Sequence, residues 1–460
     1  MNRGMSRLFA TALAGGVLVA SVTACSGSGP DDETLDENAE VTISVSDLPP
    51  TEKPEQRQLV LDRIAAFEAK YPNITVEATE TVWSADSWNA MVAGGTLPTV
   101  MSVPVTEMRK NIAQLQVTDL TDYVTGNELL GSLNPQVVTN VQDADGHLYG
   151  VPIQAYTMGL LYNRDLFAKA GLDPDAPPTT WEQVRAAAKA ITDKTGKPGF
   201  STMTTENTGG WTLSTMAYGF GGQMETADGE TAEAAFDNDA TRQALQLLKD
   251  MRWSDDAMGD NFLVNNNDSR AAFAGGNVGM LVQGANMYGT AVDQLKMDAD
   301  HFGLAPLPQD TDGIGTLGGG TIAVVSPDAT PNQVAASIKW IQHSQLLPFT
   351  EQAAAVDRAK SQSADGLSVG APGLPLFNKA KTDEYRVWIK EYVNVPVEHF
   401  ALYDESVYTL PVVPEPPVLA QDLYASLDAV VQAVLTDADA DVDALLSEAQ
   451  SNVNALIAAA

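Results

Sequence analysis

Val41, Ile43 and Val45 alternate with Thr42 and Ser44, the period-two pattern of a strand with one face against a core. The period then changes, because Val60, Ile64, Phe67 and Tyr71 recur at helical spacing until Pro72 and Asn73 stop the run. Ile74, Val76 and Ala78 alternate again. Strand, helix and strand in that order predict a parallel pair joined by a right-handed crossover. A further helix carrying Trp88 and Met91 leads through the turn 94–98 into a third strand at Thr99, Val100 and Met101, so the amino-terminal part reads as α/β. Later, Thr180 and Gln183 form a capping box before a helix with Val184, Ala188 and Ile191. Trp181 opens that helix, Trp253 ends another and Trp340 lies on a helix over 332–344; all three read as core. No repeat of solenoid period is present.

The start of the chain follows a different logic. Arg3 and Arg7 form a basic stretch without acid, and Leu8 to Val22 is apolar or small, too short to span a bilayer comfortably and typical of a secretory signal. It ends in Val22-Thr23-Ala24-Cys25, which resembles the bacterial lipobox, where small residues admit the peptidase and the cysteine thiol takes a diacylglycerol. Residues 1–24 are therefore expected to be a lipoprotein signal peptide. Residues 25–39 read as a flexible acidic tether, since Gly, Ser, Pro and acids bury too little apolar surface to fold. No later apolar run has the length of a membrane span, so the body is expected outside the cytoplasm, held to the cell membrane through Cys25. With one cysteine, no intrachain disulfide, cysteine zinc site or CxxC pair can form.

Length and charge narrow the possibilities. The 460 residues suffice for two to four domains, and 44% hydrophobic with 19% charged residues is a globular composition. A net charge of −34 repels phosphate backbones and anionic headgroups, which excludes nucleic acid as a partner. The GxGxxG match at Gly313, Gly315 and Gly318 precedes a strand-like 321–325 instead of opening a helix. His147, His301, His343 and His399 form no HExxH, and Asp437, Asp439, Asp441 and Asp443 lack EF-hand spacing and read as a solvated acidic turn. No cofactor and no metal is expected.

From Asp145 the text becomes distinctive: Asp145-Gly146-His147-Leu148-Tyr149-Gly150-Val151-Pro152, then Leu160-Leu161-Tyr162-Asn163-Arg164-Asp165-Leu166-Phe167, then Ala170-Gly171-Leu172 and Pro178-Thr179-Thr180-Trp181-Glu182. Together with Tyr71-Pro72-Asn73-Ile74-Thr75-Val76, Gly95-Thr96-Leu97-Pro98, Phe273-Ala274-Gly275-Gly276 and Phe302-Gly303-Leu304-Ala305-Pro306, this run resembles the family 1 extracellular solute-binding proteins of ABC importers, the carbohydrate-binding group that includes maltose-binding protein. The resemblance covers nearly all of the chain after the leader. It implies an α/β, two-lobed periplasmic-binding-protein-like fold of class II type, with hinge strands and a ligand cleft between the lobes. The crossings fall near Pro152 to Met158, Asp310 to Leu317 and Val393 to His399. That gives a first lobe of 40–154 plus 315–395 and a second of 155–314 plus 396–460. The function implied is capture of a carbohydrate, an oligosaccharide, by a non-enzymatic monomer that delivers it to permease subunits.

A sugar wants flat aromatic rings under its C–H faces and carboxylates or amides around its hydroxyl rim. Trp211 follows Glu206-Asn207-Thr208-Gly209-Gly210, which reads as a loop, and the resembling position carries an aromatic that stacks on sugar. The resemblance also points to Tyr156 at the first crossing and to Tyr288, whose neighbour Asn286 stands where maltose-binding relatives have tryptophan. Trp83 and Asp86 fall between a strand and a helix, with Asp86 equally able to cap that helix. Asp47 lies past the first strand, at the end where open α/β sheets bind ligands, and Gly319 in a triple-glycine run would let backbone approach the ligand. Departures at Val103, Thr106 and Leu423 point away from maltodextrin. Two alternatives stay open: a secreted glycoside hydrolase with paired carboxylates, and a binding protein for a cationic non-sugar solute. The lipobox makes a testable claim: Cys25→Ala should move the chain from the membrane fraction to the soluble one without lowering its melting temperature, and its retention in the membrane after a carbonate wash would refute the anchor.

Overall fold

The computed structural model describes residues 35–459 except 37, 229 and 230; Cys25 and the signal peptide lie outside the described residues. Its strands are β1 (Val41–Val45), β2 (Ile74–Ala78), β3 (Val100–Pro104), β4 (Val151–Asn163), β5 (Phe200–Ser201), β6 (Glu225–Asp228), β7 (Thr231–Ala234), β8 (Met280–Gly284), β9 (Phe302–Pro306), β10 (Thr316–Val325) and β11 (Val412–Val413). β6 and β7 form a separate hairpin. The others make one sheet in the order β2-β1-β3-β10-β4-β8-β5, with β9 added on β4 and β11 on β10.

The amino-terminal reading holds element by element. β1 and β2 run parallel with Val41 opposite Ile74, and the helix Pro54–Lys70 between them buries Ile64 and Phe67, the residues that its periodicity singled out. The capping box of the helix Trp181–Thr195 is formed by Thr180 and Gln183 as expected. Trp181 and Trp340 are buried. Trp253 is not: it is 38% exposed, since its indole N–H reaches the Val434 carbonyl at 2.9 Å and the Arg252 guanidinium covers its ring.

Two large groups of buried side chains sit at opposite ends of the sheet. Ile43, Phe67, Val100, Val325 and Trp340 centre one, while Leu160, Trp181, Phe200, Met280, Leu427 and Val453 centre the other. β4 and β10 serve both ends. Through Thr157, β4 pairs with β10, and from Met158 onward it pairs with β8 and β9.

The glycine-rich stretch before Trp211 corrects an expectation. It is not a loop, because Thr208–Gly219 is a helix and Trp211 lies in its first turn. Gly209 and Gly210 are there for packing: a β-carbon on Gly210 would stand 2.3 Å from the Tyr424 carbonyl oxygen on the neighbouring helix Ala420–Thr436. That helix also supplies Asp428, whose carboxylate accepts from the amides of Asn207 at 2.8 Å and Gly210 at 2.7 Å, meeting the orphan N–H groups that a helix start leaves. Gly210→Ala should therefore force the two helices apart and lower stability by about 1–3 kcal/mol in urea unfolding; an unchanged midpoint would refute the close approach.

Candidate functional site

The change of partners on β4 puts Tyr156 beside the place where the two cores meet. Tyr156 stands opposite Gly319 of β10, and a β-carbon on Gly319 would fall 2.7 Å from the Tyr156 hydroxyl and 2.8 Å from its ring. Gly319 thus makes room for the Tyr156 ring while lying on a cavity wall itself. The hydroxyl donates at 2.8 Å to Glu415 Oε1. Glu415 lies between Pro414 and Pro416 in the proline-rich segment that follows β11. Trp211 stands nearby, its ring 6.3 Å from that of Tyr156 at 58°.

Tyr156 and Glu415 border a cavity of about 530 Å³ lined also by Trp83, Thr106, Gly319 and Asp422 among others, while Trp211 is half-buried against the core and outside that lining. Neighbouring spaces of about 430 and 340 Å³ share Glu415 and Pro417 with it and add Arg109, Asp143, Tyr218 and Glu225. The proline-rich segment thus borders all three spaces, which together form the candidate cleft. Its walls carry what a polyol needs: aromatic faces, hydroxyls and carboxylates. Trp83 presents a buried indole N–H without a partner.

Burial sets the electrostatics. It raises the Glu415 carboxyl, against the lowering effect of the Tyr156 hydrogen bond and of the nearby Trp211 side chain, and it raises the hydroxyls of Tyr156, Tyr218 and Tyr424. Glu225 is pushed up to about 7 by burial, although the Val418 amide and the charge of Arg109 pull it down.

The other expected contacts lie elsewhere. Tyr288 is 1% exposed and packed edge-on against Phe302 and Phe400, so both surroundings and geometry make it core; burial pushes its hydroxyl up to about 12. Asn286 is exposed beyond β8, outside the cleft lining. Asp86 is exposed in the first turn of Ala85–Gly94, but Ser84 caps that helix. Asp47 is exposed in the left-handed region, accepts from the Ser46 hydroxyl at 2.6 Å and borders a separate cavity of about 100 Å³ beside Trp340. Leu423 and Val103 are fully buried. Sequence reasoning missed Glu415, Glu225 and Arg109. Only the spacing of four prolines around Glu415 signalled a segment unable to join a ladder. The GxGxxG match leads into β10 and not into a helix. Among the described residues no group of three or more His, Cys, Asp or Glu is placed to hold a metal.

A family model described as bacterial extracellular solute-binding protein matches residues 52–344. Among curated proteins, the sn-glycerol-3-phosphate-binding periplasmic protein UgpB of Yersinia enterocolitica is 28% identical over 39% of this chain and 40% of its own length. The UgpB of Agrobacterium fabrum is 32% identical over 34% of this chain and 32% of its own. The chain thus spans less than half the length of these two relatives. Among solved structures, the cyclic alpha-maltosyl-1,6-maltose binding protein of Arthrobacter globiformis superposes with a TM-score of 0.66 at 23% identity, covering 91% of this chain and 99% of that one. The sugar-binding protein MalE of Xanthomonas citri gives 0.69 at 18%, covering 91% and 98%. At such identities the likeness shows the fold, which is two-lobed α/β as expected.

Glu225 yields a prediction with a definite sign. Its folded value lies above the ordinary carboxyl value of 4.5, so its contribution to stability is retained below that ordinary value and lost as the pH rises through 7. Glu225→Gln should therefore melt higher than the parent at pH 8, by at most about 3 kcal/mol before solvent screening reduces it. The gap should close near pH 4.5; a gap that is constant across pH would refute the assignment.

Proposed function

Since this chain belongs to the bacterial extracellular solute-binding protein family, we propose that it captures a carbohydrate, an oligosaccharide, in the cleft along Tyr156 and Glu415 and delivers it to the permease of an ABC importer. The supporting observation is the arrangement at the cleft: Tyr156, with the Trp211 ring next to its own, orients the Glu415 carboxylate through its hydroxyl beside a cavity of about 530 Å³, a volume suited to a small oligosaccharide. The division into lobes at 40–154 plus 315–395 and 155–314 plus 396–460 belongs to this reading, as do Cys25 as lipid anchor and action as a monomer. Closing such lobes on a sugar strips water from its rim and strengthens each polar contact.

The UgpB relatives carry glycerol 3-phosphate in their name, which makes a phosphorylated polyol the second reading. Arg109 favours it. Glu107, Glu225, Glu415 and Asp422 on the same cavity walls oppose it, because carboxylates around a phosphate dianion repel it. A neutral sugar meets no such penalty.

Trp211→Ala tests the reading. It removes a ring from beside Tyr156 and should weaken sugar binding by about 1–3 kcal/mol, roughly 5- to 150-fold in Kd. A merely structural tryptophan gives the opposite pattern, with a lowered ligand-free melting temperature and unchanged calorimetric affinity. A fluorimetry panel of sugars and glycerol 3-phosphate identifies the class first; stabilisation by glycerol 3-phosphate alone would overturn the carbohydrate.

A further inference from the structure

Arg109 is the one guanidinium on the cavity shared with Glu225 and Glu415. It lies on the helix Met108–Ala113 directly after β3, and its neighbour Met108 is buried in the cluster of Val103 and Ile322. Glu225 belongs to the other end of the molecule, on β6 beside Met224, which is buried with Trp181 and Leu427. Both groups are incompletely satisfied. Arg109 is exposed and, among the described residues, has no ion pair or hydrogen bond. Glu225 accepts from the Val418 amide through Oε2 at 3.1 Å, while its Oε1 is buried without a partner.

An unpartnered buried carboxylate oxygen is costly, and its other neighbours leave it unserved. Glu415 from the proline segment is a like charge already engaged by Tyr156. Tyr218 from Thr208–Gly219 and Tyr424 from Ala420–Thr436 feel the charge of Glu225 but make no hydrogen bond to it, and the Tyr424 hydroxyl is itself buried without a partner. Among the described residues the one cation facing Glu225 is Arg109, on the wall of the same cavity.

We propose that Arg109 and Glu225 are an interlobe positioning pair, apart in the structure described here and joined as an ion pair when the lobes close on ligand. This rests on the cleft reading above. Closure excludes water from between them, where the interaction is stronger than at an exposed surface, and slows reopening without either residue touching the sugar. It also carries a proton signature. A guanidinium brought against Glu225 lowers its carboxyl, which stands near 7 when apart, so closing at pH 7 releases a fraction of a proton.

The probe is whichever of maltose, trehalose, cellobiose and raffinose raises the melting temperature of the parent chain. Arg109→Gln and Glu225→Gln should each raise the dissociation rate roughly 5- to 10-fold with little change in association. Both should shrink the ligand-induced decrease in radius of gyration, and the double variant should be no worse than either single one. Calorimetry at pH 7 in buffers of different ionisation heat should show proton release by the parent and none by Glu225→Gln. Unchanged dissociation in Arg109→Gln, or additive losses in the double variant, would overturn the pair while the parent's sugar binding left the cleft reading intact. A parent that binds none of the four sugars overturns both.

Discussion

The antiparallel pairing of β4 with β10 is the constraint on which the rest depends. Among the strands of the sheet these two run from one core toward the other, so whatever projects from their midpoint stands where two separately packed bodies meet. Close pairing there needs small residues. Added β-carbons on Gly318 and Gly320 would come within 2.6 Å of the Tyr156 carbonyl and 2.1 Å of the Gln154 carbonyl, and the β-carbon missing from Gly319 is replaced in space by the Tyr156 ring. None of the three glycines has positive φ. Their role is clearance, and that clearance orients Tyr156 toward Glu415. A bulge between Thr321 and Ile322 ends this crowded stretch before β10 continues alongside β3.

How much of this was legible in the sequence depended on the range of the interaction. β1, the helix Pro54–Lys70 and β2 were legible because alternation and helical spacing are properties of a few adjacent residues. So was the Thr180–Gln183 box, which closes within four residues. The pairing of Tyr156 with Glu415 spans 259 residues and has no local signature, so a site reading anchored on Tyr156 and Trp211 reached their region without that carboxylate. The surroundings of Tyr288 were hidden for a related reason: the resemblance placed it beside a sugar, while Phe302 and Phe400 pack edge-on against its buried ring.

Trp211 shows why glycine is an ambiguous signal. Two adjacent glycines ahead of a tryptophan suggest a flexible approach when read locally, since glycine is a poor helix former. In the fold their value is the opposite. The helices Thr208–Gly219 and Ala420–Thr436 approach until backbone meets backbone, and the intrinsic cost of the glycines is offset by burial of Leu213, Ala217, Leu427 and Val431 and by the Asp428 carboxylate at the helix start. The same rigid contact that removes Trp211 from a loop fixes its ring beside that of Tyr156. A tryptophan on a fixed helix is positioned more sharply than one on a loop.

Three carboxylates in this second body mark out a gradient from structure to function. Asp428, 7% exposed, accepts from the amides of Asn207, Gly209 and Gly210, and its position is closed to further partners. Glu415 accepts from Tyr156 and still borders the cavity. Glu225 keeps one amide contact and one vacant oxygen. Burial raises all three above the ordinary carboxyl value, so their different roles follow from what remains unsatisfied. Asp428 joins two helices, Glu415 is held ready by the Tyr156 hydroxyl, and Glu225 retains an interaction that only a group from outside its own core can complete. In a chain with 60 acidic residues against 26 basic ones, such a group is scarce, which gives the placement of Arg109 on the facing wall its weight.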